Sequence, residues 1–188
     1  MLTTEVTLTQ ERGLFMMKRF LLAVSMCVSM VLVSATISSA DGPKVINNHV
    51  FGSTPNITIR GVAAGGAPWV VKNGKAQLSP DGQLRVRVKG LVIGDGVLAN
   101  GNPVPENLIG TTAGVTTVHA ALTCGGPGGG TAFTITSTDG VSLNSKGDFE
   151  IDAELVIPSV CAQPIILIRI GSPTAPGPWI AASELPDN

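Results

Sequence analysis

WVVKNGKAQLSPDGQLRVRVKGLVI, residues 69–93, carries the period that decides the fold class. Leu84, Val86 and Val88 alternate with Arg85, Arg87 and Lys89, which is the two-residue repeat of a strand with one face in a core and the other in water. Asn73-Gly74 is a hairpin signal, because a two-residue type I′ turn needs positive φ at both central positions. Such a turn pairs Lys72 with Lys75, Val71 with Ala76, Val70 with Gln77 and Trp69 with Leu78. Trp69, Val71, Ala76 and Leu78 then share the core side, and Lys72, Lys75 and Gln77 the other. SPDG, residues 79–82, is a second turn. Gly90 marks a bulge or a close backbone approach, beyond which Leu91, Val92 and Ile93 need not keep the earlier parity.

The same grammar extends outward. Helix signals are nearly absent, and short apolar runs are punctuated by glycine, proline and Asn/Asp-Gly pairs. VTTVHAALTC places Val118, Ala120, Leu122 and Cys124 inward and His119 outward. AFTITSTDGVSL reads as strand, Asp139-Gly140 turn and strand, with Phe133 and Ile135 inward. In DFEIDAELVI, Phe149, Ile151, Ala153 and Leu155 face the core while Glu150, Asp152 and Glu154 face water. The continuous apolar run Ile165 to Ile170 reads as a fully buried central strand, and PTAPGPWIAA as a short closing one. A first strand is expected near Ile57 to Val62. The fold expected is all-β, an antiparallel Greek-key β-sandwich of about eight strands, immunoglobulin-like or superoxide-dismutase-like.

Residues 16–40, MMKRFLLAVSMCVSMVLVSATISSA, have the basic start, apolar run and small-residue end of a signal peptide, with Ser38-Ser39-Ala40 as the cleavage site. Met1, Met16 and Met17 are alternative starts, and residues 1–15 then read as an upstream mis-start. Retention of the segment as a membrane anchor is the alternative to cleavage. Residues 41–55 read as a tail and 56–188 as one domain, a length that can bury a sizeable core. The location expected is secreted or periplasmic.

Setting aside Glu5, Glu11, Arg12, Lys18 and Arg19, the twelve basic and thirteen acidic residues fall to nine and eleven. That balance gives no general attraction to nucleic acid or to anionic lipid. With Cys27 in the leader, Cys124 and Cys161 remain, and an oxidising compartment makes them a disulfide. Closing a loop of about 37 residues stabilises the fold by roughly 3–4 kcal/mol in the chain-entropy model.

Chemistry-bearing patterns are sparse. Arg85, Arg87 and Lys89 form a basic stripe, and Glu150, Asp152 and Glu154 an acidic one. The stripes pair across neighbouring strands, or else each meets its opposite on a second copy. CGGPGGG, residues 124–130, lacks the Gly-Lys-Ser/Thr and the following helix of a phosphate loop. His49 and His119 show no metal-ligand spacing, so no metal or cofactor is expected. No Gly-x-Ser-x-Gly elbow is present, and tyrosine is absent. The candidate surface residues are His119, Trp179, Arg85 and Arg87, with Asn100 and Asn102 in the loop Gly94 to Gly110. Trp69 and Trp179 each follow a proline, which belongs at a strand entrance or edge.

GAPWVV (66–71), LSPDGQLRVRVKGLVI (78–93), VHAALTCGG (118–126), PIILIR (164–169) and WIAA (179–182) together resemble a family of small exported bacterial proteins with no characterised activity. More weakly, the order of the VKGL, VHAAL, GDFEIDAEL and PIILIRI segments resembles the CHRD (chordin-type) domain. That resemblance implies a Greek-key sandwich of the copper/zinc superoxide dismutase type used in extracellular binding. Where such domains carry two histidines this chain has only His119, and no Gly-Glu-Ile-Arg-Gly follows the last strand, so metal chemistry does not carry over. The role expected is non-catalytic, binding or structural, toward a cell-surface, matrix or self partner. The alternatives are a hydrolase-type enzyme using His119 and a self-associating matrix or coat component.

Overall fold

A computed structural model describes residues 44–125 and 133–183. The leader, the upstream residues 1–15 and the glycine-rich turn after Cys124 lie outside them. Among the described residues there is no helix, and the strands are β1 (Ile46–His49), β2 (Phe51–Gly52), β3 (Thr58–Ile59), β4 (Val62–Ala63), β5 (Trp69–Leu78), β6 (Gln83–Ile93), β7 (Thr117–Gly125), β8 (Phe133–Ser137), β9 (Val141–Ser142), β10 (Phe149–Glu154), β11 (Ala162–Ser172) and β12 (Ala175–Ala182). The fold is all-β, as the two-residue period requires. A four-stranded sheet runs β1-β5-β6-β10. A six-stranded sheet runs β2-β12-β11-β7-β8, with β9 also on β7, and β3 and β4 form a small hairpin. The named strands all pair antiparallel, an isolated parallel bridge joins Ala64 to Trp179, and one sheet curls into a half barrel.

The β5–β6 pair corrects the opening reading. Its register runs unshifted from Trp69↔Ile93 to Leu78↔Leu84, with Asn73 opposite Lys89 and Gly74 opposite Val88. Asn73-Gly74 therefore lies inside a ten-residue strand, and Ser79 to Gly82 makes the turn, closed by the Gly82 N–H donating to the Ser79 carbonyl at 3.0 Å. Glycine at 74 answers a packing demand: a Cβ there would lie 2.8 Å from the Cβ of Val50. The face assignment nevertheless survives, for another reason. Trp69 is buried before Lys72 and Gly74, Ala76 and Leu78 after it, while on β6 Val88 is buried before Gly90 and Leu91 and Ile93 after it. Both strands exchange faces at one level, where Gly90 has φ 67° and its N–H leaves the ladder for Asp148 Oδ1 at 2.9 Å.

Other segments differ from expectation at sheet edges. The stretch read as a tail supplies β1 to one sheet and β2 to the other, anchored by buried Ile46 and Val50. The strand expected near Ile57 to Val62 is the β3–β4 hairpin, turned at Arg60 (φ 47°) and Gly61 (φ 78°). β8 and β9 both pair with β7 and not with each other, so Asp139-Gly140 interrupts an edge strand. Phe133 and Ile135, expected inward, are each 40% exposed. Alternation alone does not tell an edge strand which of its faces is covered.

One core cluster takes Leu84, Val86 and Ile151 from the four-stranded sheet and Val118, Leu122, Ile166 and Ile168 from the six-stranded one. A second lies on the other face of the six-stranded sheet, where Ile59 and Val62 of the hairpin pack on Ala121, Leu167, Trp179 and Ala182. β11 is thus central, but only Ile166 to Ile168 of the run expected to be fully buried are so, and Ile165, Arg169 and Ile170 are half-buried where the strand nears its ends. The Cys124–Cys161 disulfide is formed, with Cα atoms 4.6 Å apart, tying the end of β7 to the residue before β11.

Because Asn73 is an exposed mid-strand residue, Asn73→Thr is expected to change unfolding free energy by less than about 0.5 kcal/mol, or to raise it. A denaturant titration showing a loss above about 1 kcal/mol would instead mark a turn residue.

Candidate functional site

Cross-strand partners share a face, and three chemistry-bearing residues fall in one row of the six-stranded sheet: His119 on β7 opposite Arg169 on β11, and Arg169 opposite Trp179 on β12. His119, expected at the surface, is fully buried, and so is Trp179. His119 faces the β11–β12 connection, and Trp179 is covered by the β3–β4 hairpin. Trp179 packs with its Ile59 and Val62, and the Gly65 N–H donates to the Trp179 carbonyl at 2.8 Å. Arg60 holds the hairpin tip, donating to the Thr123 and Gln163 carbonyls with its guanidinium 5.8 Å from the Phe133 ring. Pro68 precedes β5 as a strand entrance should. Pro178 lies inside β12, at a register shift between Arg169 and Gly171.

Within the row, His119 Nδ1 lies 3.0 Å from the Gly171 carbonyl oxygen. Nδ1 is therefore the protonated nitrogen of the neutral ring, and the unprotonated Nε2 has no partner among the described residues. Burial lowers the imidazole pKa below its ordinary value; the Gly171 carbonyl opposes that shift, and the positive charge of Arg169 adds to it. Arg169 is half-buried and donates from Nε to the Gly177 carbonyl at 2.9 Å. Burial lowers its pKa also. No carboxylate pairs with it among the described residues. Among the described residues His119 contacts no hydroxyl nucleophile and no carboxylate by hydrogen bond, so they form no Ser-His-Asp arrangement in this row. Its polar atoms serve the backbone of the β11–β12 connection.

Arg85 and Arg87 lie elsewhere, on the outer face of the four-stranded sheet. The basic and acidic stripes are neighbours: Arg87 Nε lies 2.7 Å from Glu150 Oε1, and Arg85 Nη2 3.2 Å from Asp152 Oδ2. These exposed pairs contribute about 0–1 kcal/mol each, and they join the stripes within one chain while leaving Lys89 and Glu154 without an ion pair among the described residues. The rows continue to β1, since His49 pairs with Lys75 and Lys75 with Arg87. A cleft of about 540 Å³ opens here between Lys75, Arg87 and Lys89 on one side and Asn144, Asp148 and Glu150 on the other. Its wall is the turn 144–148, built on Asn144, whose Oδ1 accepts the N–H groups of Lys146 and Asp148, each at 2.9 Å.

Asn100 and Asn102 belong to neither place. Asn100 Oδ1 accepts the Asn102 N–H at 3.0 Å around Gly101 (φ 84°). The two asparagines shape their own turn, and the loop is tied down by buried Val104 and by the Ala99 N–H donating to the Gly66 carbonyl. Among the described residues no three of His, Cys, Asp and Glu gather as metal ligands, and no helix is long and apolar enough to cross a membrane. The disulfide is compatible with an extracytoplasmic location.

Sequence reasoning passed over Arg169, Lys75, Asn144 and Asp148. Arg169 had a signal, as the one charge in an apolar central strand. Lys75 had been placed in a hairpin that does not exist. Asn144 and Asp148 come to the sheet through a turn whose docking on Gly90 has no local mark. No family model matches the chain, and no curated protein or solved structure matches it either.

The buried imidazole has a pH signature. Its folded pKa is depressed, so below about 6.5 the unfolded chain binds the extra proton more readily. The contribution of neutral His119 to stability is fully present above that value and is lost as pH falls toward the folded pKa. Thermal unfolding of the wild type is expected to shift downward between about pH 7 and 5, with a smaller shift in His119→Phe. Equal pH slopes for the two proteins would contradict the burial of a neutral ring.

Proposed function

We propose that the chain is an exported, non-catalytic Greek-key β-sandwich, immunoglobulin-like or superoxide-dismutase-like, with a binding or structural role at the cell surface. One observation carries the reading. The row with catalytic potential, His119–Arg169–Trp179, has His119 and Trp179 fully buried and Arg169 half-buried, whereas the outer face of the four-stranded sheet is polar and open.

Other features support it. Two sheets share one core, and the chain alternates between them from β6 to β7 and from β10 to β11. The VKGL, VHAAL, GDFEIDAEL and PIILIRI segments, which resemble the CHRD domain, fall on β6, β7, β10 and β11. The disulfide suits an oxidising compartment, and the leader-like segment supplies the route. A staple together with a shared core is what a small module outside the cytoplasm requires.

Fractionation of the source cell followed by non-reducing intact mass is the test. The expected species is extracytoplasmic, begins at Asp41 and takes up no alkylating agent at Cys124 or Cys161. A cytoplasmic chain that retains residues 16–40 and alkylates at both positions would overturn the reading.

A further inference from the structure

We infer that the cleft on the four-stranded sheet is a binding site for an acidic oligosaccharide, whose carboxylates meet Lys75 and Lys89 and whose hydroxyls meet Asn73 and Glu150. The inference rests on the binding-module reading and names its ligand class. The floor is made by adjacent rows of one sheet face. Lys75 stands opposite Arg87, and Asn73 opposite Lys89. Lys75 and Lys89 are therefore diagonal neighbours, about 7–8 Å apart at the backbone. The volume, about 540 Å³, lies within the roughly 300–1,000 Å³ of small-molecule sites.

The charges are unequally satisfied. Glu150 is held by Arg87 at 2.7 Å. Asp148 accepts the Gly90 N–H at 2.9 Å through Oδ1 and faces the Asn144 amide through Oδ2. Lys75 and Lys89 are exposed and pair with no carboxylate among the described residues. The cleft thus offers two uncompensated ammonium groups beside carboxylate acceptors fixed in place. A phosphate-rich or nucleic-acid ligand is best served by backbone N–H cradles or exposed rings. The one aromatic residue in the lining, Phe149, is buried at 7% exposure. A polyhydroxylated carboxylate suits the mixture, because its hydroxyls donate to carboxylates and amides while its own charges meet the lysines.

The test is ¹⁵N-¹H chemical-shift titration of the disulfide-bonded protein with trigalacturonate, maltotriose and tripolyphosphate. Trigalacturonate is expected to shift the amides of 73–75, 87–89 and 144–150. Lys75→Gln and Lys89→Gln should each weaken it by roughly three- to fivefold, on the scale of one exposed charge contact. Lys44→Gln, which removes a charge beside Ser79 outside the cleft, should leave it unchanged. Maltotriose should bind more weakly than trigalacturonate, and tripolyphosphate should not reproduce the same map. All three substitutions are made away from the core, and the wild-type map decides the question alone if a variant misfolds. Equal binding of maltotriose, an equal map with tripolyphosphate, indifference to both lysine substitutions, or no shift in the cleft would each overturn the assignment. None of those results touches the export and disulfide measurements that decide the module reading.

Discussion

The middle strands of the six-stranded sheet are buried on both faces, and the rest of the molecule is arranged around that demand. Val118, Ala120 and Leu122 look one way along β7 and His119, Ala121 and Thr123 the other, and all six are buried. Strands of this kind need a cover on each side. The four-stranded sheet supplies the first and the β3–β4 hairpin the second. Burying side chains such as Ile59, Val62 and Leu167 contributes on the order of 1.5–3 kcal/mol each as an upper figure, which offsets the cost of holding a short, strained turn at Arg60. The hairpin encloses Trp179, and His119 is buried beside the β11–β12 connection, so a packing requirement decides which side chains remain available for chemistry.

Two devices keep the covers aligned. The Cys124–Cys161 disulfide joins β7 to the start of β11, fixing the strands that bear the double burial. At Lys72 and Gly90 the β5–β6 pair exchanges its faces without losing register, and so one long hairpin lines the core at both ends. The Gly90 N–H, freed from the ladder, is taken by Asp148, and this bond seats the turn that walls the polar cleft. Core geometry and surface geometry thus meet at one glycine.

Much of this was legible in the sequence, where local pattern and burial coincide. Leu84-Arg85-Val86-Arg87-Val88 and Phe149-Glu150-Ile151-Asp152 each have one wet face, and their alternation states it outright. The cysteine pair needed only a compartment. Asn73-Gly74 misled because a local turn preference gave way to tertiary packing, in which Val50 crosses directly over Gly74. His119 misled because alternation shows that a residue faces away from one core without showing that the other face of its sheet is covered as well. Phe133 and Ile135 misled in the opposite sense, as apolar residues left largely exposed on an edge strand. The cleft was invisible for the same reason: its lining comes from three stretches of chain joined only by sheet order and a docked turn.

Acrylamide quenching of Trp179 fluorescence in a Trp69→Phe variant tests the double burial most directly. The account predicts blue-shifted emission and weak quenching that becomes strong only on unfolding. Red-shifted emission and free quenching in the folded state would mean that the hairpin does not cover the sheet, and the surface would then have to include Trp179.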